Sequence, residues 1–444
     1  MSVRFFAATD VGRVREHNED NFLVDRRLGL FVVADGMGGH AAGEIASALS
    51  VRTLHEEVKR HRETIEAFAA GDQAVSAREV TVVLEHAVQR ASAKIYEEAA
   101  LDPQKRGMGT TTSALLVAGT TAFIAHVGDS RVYLAREGKV ECITEDHTVA
   151  NELLRRGKLS REQIDKLAQK NAITRAVGIY ERVEVDTLLI ETVPGDSFLV
   201  CSDGLHGYFD ADTDTLPFLE IDGQPAADGL IAYANERGGR DNITAIVVQI
   251  AAQGEGDAAR VRRMTQKREV LAKMPIFARL TDRELLRIMQ VALVRNYTTG
   301  ERVITEGEKG DELFIVLSGR LVVTKGDARL TELGPGHHVG EMALIRQVPR
   351  SATVTADAPS ELIIIRRQDF FEILRRDHEV AIKLLWQFLG VLADRLDKTN
   401  RDLSEAREEL KLEDVTAELA LDYNDDFDNR PTLPPGEPLP RFSE

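Results

Sequence analysis

The chain has 444 residues, 43% of them hydrophobic and 29% charged, with a net charge of −17. That length exceeds what one hydrophobic core serves and predicts two ordinary domains, while the acidic balance argues against a non-specific nucleic-acid binder, which needs a basic surface to release counterions from phosphate. No apolar run is long enough to span a bilayer, MSVRFFAATD lacks the pattern of a secretory signal, and Cys142 and Cys201 stand far apart outside any CxxC spacing; the expectation is a cytoplasmic chain with no membrane partner, no disulfide framework and no structural zinc.

The first marked element is FVVADGMGGH, residues 31–40, an apolar strand that stops on Asp35 and a glycine turn. A buried strand ending this way holds its carboxylate rigidly at a sheet edge. Two helix-patterned stretches, AAGEIASALSVRTLHEEV and AREVTVVLEHAVQRASAKIYEEA, lie among short β-patterned runs such as TAFIAHVG, DSFLVCSDG and NITAIVVQI. Hairpin-like turns between the runs predict two packed sheets with helices outside, rather than a doubly wound parallel sheet. AAQGEGDAAR, residues 251–260, reads as a linker leading into a charged helix. Beyond Ile276 come the helix LTDRELLRIMQVA, with Thr281 as its N-cap, and the glycine-separated short strands of a β-roll.

Helical pattern resumes after Asp369, and Leu389, Leu392, Leu396, Thr399, Leu403, Ala406 and Leu410 recur in steps of three and four. This is the seam of a short coiled coil, and so of a homodimer through the C-terminal helix; a single amphipathic helix packed on its own domain is the other reading. From Glu413 onward nine carboxylates stand against two arginines, so much of the net charge is local, and the proline-rich end is too poor in apolar residues to fold alone. The boundaries that follow are 1–250 and 275–388 for the two domains, 251–274 for the linker and helix, 389–421 for the C-terminal helix and 422–444 for a disordered tail.

Asp35 has companions. HVGDSRVYL sets Asp129 after a strand, FLVCSDGLHG sets Asp203 after another, and GGRDNITAIVV sets Asp241 before one. If those strands are neighbours the carboxylates converge, which is tolerable only when protons or metal neutralise them. All-oxygen sites suit Mg²⁺ and Mn²⁺. Two such ions a few ångströms apart can share a bridging water, lower its pKa and aim it at phosphorus.

TDVGRVREHNEDNF, VVADGMGGH, GMGTTTSALL, HVGDSRVYL, ITEDHTVANELLRRGKLS, NAITRAVG, FLVCSDGLHGYFD and GGRDNITAIVV follow one another in an order and spacing that resembles the bacterial form of the metal-dependent (type 2C) protein phosphatases, over roughly residues 3–250. The resemblance implies an α+β fold with an α/β/β/α four-layer sandwich, acting on phosphoserine and phosphothreonine in protein substrates with two, or three, Mn²⁺ or Mg²⁺ ions. By it, Asp35 bridges two metals with the Gly36 carbonyl on one, and Asp203 and Asp241 hold the other. Asp20 acts through metal-bound water, Glu19 supports or ligates the same way, Asp129 with Asp203 adds a weaker third site, and Arg15 grips the substrate phosphate. Residues 147–175 match the family's variable flap, where substrate specificity is expected. Many eukaryotic members have histidine directly after the Asp-Gly; here that residue is Met37. His40 is then open to two readings, the proton donor to the leaving oxygen or a residue capping the following helix while metal-bound water supplies the proton.

In VGEMALIRQVPRSATV, residues 339–354, Gly340 allows a tight turn, backbone N–H groups at EMAL can face a phosphate, Arg350 can neutralise it, and Glu341 can accept from a ribose hydroxyl. With ERVITEGEKGDELFIVLSGRLVV upstream, this resembles the phosphate-binding cassette of cyclic-nucleotide-binding domains across about 275–375. That implies Glu341 on the ribose 2′-hydroxyl, Arg350 on the cyclic phosphate, and Gly340, Met342, Ala343 and Ser351 lining the pocket. Ser351 after the arginine fits the cyclic AMP pattern better than the cyclic GMP one. The expected activity is therefore phosphatase chemistry regulated by cyclic nucleotide; the alternative is a catalytically inactive nucleotide sensor that binds phosphoproteins. A nucleotide-responsive transcription factor is excluded by the acidic, proline-rich end.

Overall fold

The computed structural model describes residues 2–38, 42–156, 163, 172–252, 256–346, 348–376 and 378–428. By contacts the chain divides into two units, Met1–Ala381 and Ile382–Glu444. No helix among the described residues is long and apolar enough to cross a membrane.

The N-terminal region holds strands β1 (Ser2–Asp10), β2 (Asp20–Asp25), β3 (Leu30–Met37), β4 (Gly109–Thr110), β5 (Thr112–Ala118), β6 (Thr121–Val127), β7 (Arg131–Arg136), β8 (Lys139–Cys142), β9 (Asp186–Glu191), β10 (Ser197–Cys201) and β11 (Ile243–Ala251). One sheet has the order β1-β11-β10-β7-β8 and the other β2-β3-β5-β6-β9, with β4 paired to β3. Every pairing is antiparallel. Side chains alternate across each strand, and here both faces are buried. Phe31 and Val33 meet Val132, Phe198, Val200, Ile246 and Val248 between the sheets. Leu30, Val32 and Ala34 instead face the helices Ala42–Arg60 and Ala77–Leu101. Helix Pro225–Glu236 covers the outer face of the first sheet through Leu230, Ile231 and Ala234. The result is the expected α/β/β/α sandwich, and it explains why β3 reads as an unbroken apolar run: it has no wet face.

Helix Gly256–Lys273 starts inside the stretch read as a linker, and helix Asp282–Val291 follows with Thr281 as N-cap in a capping box with Glu284. Then come β12 (Ala292–Tyr297), β13 (Arg302–Ile304), β14 (Glu312–Ser318), β15 (Leu321–Lys325), β16 (Ala328–Leu333), β17 (His338–Val339), β18 (Thr353–Ala356) and β19 (Ser360–Arg366). They form two four-stranded sheets, β12-β19-β14-β17 and β13-β18-β15-β16, wrapped around Phe314, Val316, Leu321, Val354 and Leu362.

Helix His378–Asp428 is longer than the sequence suggested and enters the segment read as disordered. Residues 429–444 lie outside the described ones. Within the unit from Ile382 on, Ile382, Leu385, Leu389, Leu396 and Leu403 are all exposed.

Candidate active site

Strand parity carries Asp35 to the rim between the two sheets, on the same side of β3 as Phe31 and Val33. Its backbone is pinned: the Asp35 N–H donates to Thr111 Oγ1 at 3.0 Å, and its carbonyl accepts from Thr111 N and Thr110 Oγ1, each at 2.8 Å. Asp20 sits directly across from Asp35 on β2. It reaches the opposite sheet, where Ser202 Oγ and Thr244 Oγ1 donate to its Oδ2 at 2.7 and 2.6 Å. Those two hydroxyls, one from β10's end and one from β11, were missed from sequence although each lies beside a quoted aspartate; only the packing of two sheets brings them to Asp20.

Asp203 opens the short helix Asp203–His206, and its carboxyl neighbours that of Asp35. Asp129 lies on the loop after β6, held by His206, whose Nε2–H donates to the Asp129 carbonyl at 2.8 Å. Burial pushes Asp20 and Asp129 up to about 7, and neighbouring carboxylates add to the effect. Asp35 rises well above the ordinary range, first through burial and then through Asp20, Asp203 and Asp129. Asp203 also rises, through burial and then Asp241. Two buried oxygens, Asp20 Oδ1 and Asp203 Oδ1, have no hydrogen-bond partner.

The loop from Val11 to Glu19 closes one side. Asn242 staples it, donating through Nδ2 to the carbonyls of Val11 and His17 and accepting from the Glu19 N–H at 2.8 Å. Arg15, half exposed, donates to Asp241 Oδ2 at 2.7 Å. The Glu19 carboxyl abuts Gly43 and is raised by burial. Gly36 has no room for a side chain: a Cβ there would lie 2.2 Å from the Gly43 carbonyl oxygen and 2.6 Å from that of Glu19. Gly36→Ala is therefore expected to cost about 2 kcal/mol, read as a fall of several degrees in melting temperature. His40 lies outside the described residues.

This arrangement fits hard cations. The unpartnered oxygens and crowded carboxyls belong to an all-oxygen donor set that positive charge would relieve. Among the described residues no group of three or more His, Cys, Asp or Glu side chains is already placed to hold a metal ion.

In the roll, Gly340 adopts φ 87° at the start of helix Glu341–Ile345. Arg350 donates through Nη2 to the Glu312 carbonyl at 2.9 Å. It lies so close to Gly310 and Gly340 that a Cβ on either would come within 2.3 and 2.5 Å of its guanidinium. Burial lowers its pKa, partly offset by Glu312, Asp311 and Glu341. Glu341 and Met342 are half-buried, Ala343 buried and Ser351 exposed.

A family model described as Protein phosphatase 2C matches residues 12–224. The serine/threonine phosphatase stp of Listeria innocua is 37% identical over 252 residues, covering 54% of this chain and 93% of its own. The chain belongs to the protein phosphatase 2C family. By that membership it is a metal-dependent protein-serine/threonine phosphatase. The Streptococcus agalactiae serine/threonine phosphatase, 33% identical, superposes with a TM-score of 0.50 over 56% of this chain and 100% of that one. A structure of the catalytic domain of the phosphatase PstP, in complex with two manganese ions, is 33% identical over 56% of this chain and 99% of its own, with a TM-score of 0.47. The phosphatase also carries a Cyclic nucleotide-binding domain, matched over residues 294–377.

Proposed function

We propose that this phosphatase removes phosphate from phosphoserine and phosphothreonine in proteins with two Mn²⁺ or Mg²⁺ ions at the Asp35 rim, and that cyclic nucleotide in the roll regulates it. The observation that carries the catalytic half is the crowding of Asp20, Asp35, Asp129 and Asp203, with two orphaned carboxylate oxygens among them. Asp35, the Gly36 carbonyl, Asp203 and Asp241 would hold the pair; Asp20 and Glu19 would act through water; Asp129 would join Asp203 at a weaker third position. Bound cations supply an activated water and neutralise charge as it develops on phosphate oxygens. Arg15 offers a planar guanidinium to those oxygens, and Asp241 keeps it at the site. Asp20 is fixed by Ser202 and Thr244, so water ordered by it keeps one orientation. His40 remains either proton donor or helix cap; an unaltered rate and pH profile in His40→Ala would leave only the cap.

Cation and proton compete for these carboxylates. Asp20 and Asp129 are raised from 3.8 to about 7. A group whose folded pKa is raised stabilises the fold fully below its unfolded pKa and loses that contribution as pH rises through the folded value. Without divalent cation, melting temperature should fall between about pH 4 and pH 7, and Mn²⁺ should raise it more at pH 8 than at pH 5. Calorimetric melts at both pH values check this; a shift that does not depend on pH would oppose it.

For the roll, the reading rests on Arg350, Gly340 and Glu341 at the matched cassette, with Ser351 favouring cyclic AMP over cyclic GMP. Titration calorimetry with each nucleotide tests both points, and absence of heat with either would remove the regulatory half. Exposed Ile382, Leu389, Leu396 and Leu403 are seven residues apart and Leu385 lies between them, which supports a parallel pair of such helices in a homodimer. Light scattering should give twice the chain mass, and Leu389→Glu with Leu396→Glu should give one.

A further inference from the structure

The sandwich and the roll leave a cavity of about 360 Å³ where they meet, at the lower end of the range that small-molecule sites occupy. One side is phosphatase, with Leu189 and Ile190 of β9 and Arg136 at the end of β7. The other is built by the helices Gly256–Lys273 and Asp282–Val291, through Met264, Leu286 and Met289, and by the first residues of β12. An occupant would touch both folded halves and both helices that join them.

The polar lining is rich in donors, and not all of them are used. Arg260 Nε and Nη2 and Gln290 Nε2 are buried without a hydrogen-bond partner. Asp257 Oδ1 stands 3.6 Å from Arg260 Nη2, an ion pair beyond hydrogen-bonding reach. Lys267, on the same face of its helix as Arg260 and Met264, is 6% exposed, and its ammonium donates to a neutral acceptor, the Met289 carbonyl, at 2.9 Å. Burial lowers its pKa and Glu191 offsets part of that; Glu191 is the only carboxylate in the lining among the described residues, and it is exposed. The two other cations are committed elsewhere, Arg136 by two bonds of 2.7 Å to Asp196 and Arg263 by an ion pair of 3.1 Å with Glu361.

Buried donors without acceptors are costly, and native structures keep them where something supplies the acceptor. An acceptor that carries negative charge answers Arg260 most fully, and the apolar side chains of the lining suit an apolar body rather than water alone. We infer that this cavity is a binding site for a small amphipathic anion. Its carboxylate or phosphate-type head is held by the donors of Arg260 and Gln290 and by the charge of Lys267, and its apolar body lies between β9 and the helix Asp282–Val291. The lining shares no residue with the Asp35 rim or the Arg350 cassette, so this site stands or falls independently of the proposed function.

Titration calorimetry on the full chain tests this with naphthylacetate, naphthylmethylphosphonate and the neutral naphthylacetamide as probes, in chelator so that no cation draws the phosphonate to the Asp35 rim. Both anions should bind saturably at one site per chain, and the amide roughly tenfold more weakly; the tighter of the two anions tells a carboxylate ligand from a phosphate-type one. Arg260→Gln should raise the dissociation constant of that anion roughly tenfold, the loss of one charge-assisted contact, and Arg260→Lys should recover part of it. Gln290→Leu should weaken binding about threefold while the melting temperature of the free chain stays level or rises, because it removes an unpartnered buried donor. Arg350→Gln should leave the affinity unchanged. Equal affinity for acid and amide, affinity unmoved by Arg260→Gln, or loss in Arg350→Gln instead would overturn the assignment. So would the absence of both saturable heat and any rise in melting temperature with either anion, which would mean that water alone serves these donors. Should Arg260→Gln fail to fold, Gln290→Leu carries the same comparison.

Discussion

Asp203→Asn should lower phosphopeptide hydrolysis by roughly a thousandfold, about 4 kcal/mol of barrier, while leaving the fold intact or firmer. Asn keeps the shape of the side chain but gives up a charge that cations need. Asp203 also presses electrostatically on Asp35 and on Asp129. Removing that charge relieves repulsion among buried carboxyls, so the melting temperature in a chelator should stay level or rise. Loss of activity with gain of stability is the signature of a residue kept for chemistry. A variant that keeps a tenth of wild-type activity would show that Asp203 is dispensable for holding the cation.

Arg350→Gln should weaken cyclic nucleotide binding about a hundredfold, near 3 kcal/mol, the cost of losing a partly desolvated charge opposite a phosphate. The guanidinium is wedged against Gly310 and Gly340 and tethered to the Glu312 carbonyl, so it is already oriented before any ligand arrives and little side-chain entropy is lost on binding. Glutamine is shorter and neutral, and it recovers neither the charge nor the fork. Titration calorimetry on the variant reads the change directly. Affinity within threefold of wild type would mean that the anion is held elsewhere.

Much of the sandwich could be read from the chain because its strands carry their own signature. FVVA stops abruptly on Asp35, and the structure gives the reason: alternate residues serve two different cores, and Asp35 inherits the inter-sheet side just where the sheets open. Hidden from the sequence were the partners that only topology creates. Ser202 and Thr244 lie far along the chain from Asp20, and nothing local marks them as its donors. The same holds for Asn242, which braces a loop more than two hundred residues away through three hydrogen bonds. Residues 251–260 read as a linker into a charged helix because their small, polar side chains hide how they are used; helix Gly256–Lys273 begins inside them and bonds to both folds. On the C-terminal helix the row of apolar residues read from Leu389 has an exposed member a heptad earlier, at Ile382.

The most direct measurement is the initial rate of phosphothreonine-peptide hydrolysis by the full chain, with Mn²⁺ or with chelator, each with and without saturating cyclic AMP. The predicted result is hydrolysis that requires Mn²⁺ and changes rate when the nucleotide is bound. A chain that binds Mn²⁺ yet leaves the peptide phosphorylated would contradict the phosphatase account, and one that hydrolyses it at the same rate with nucleotide bound would contradict the regulation.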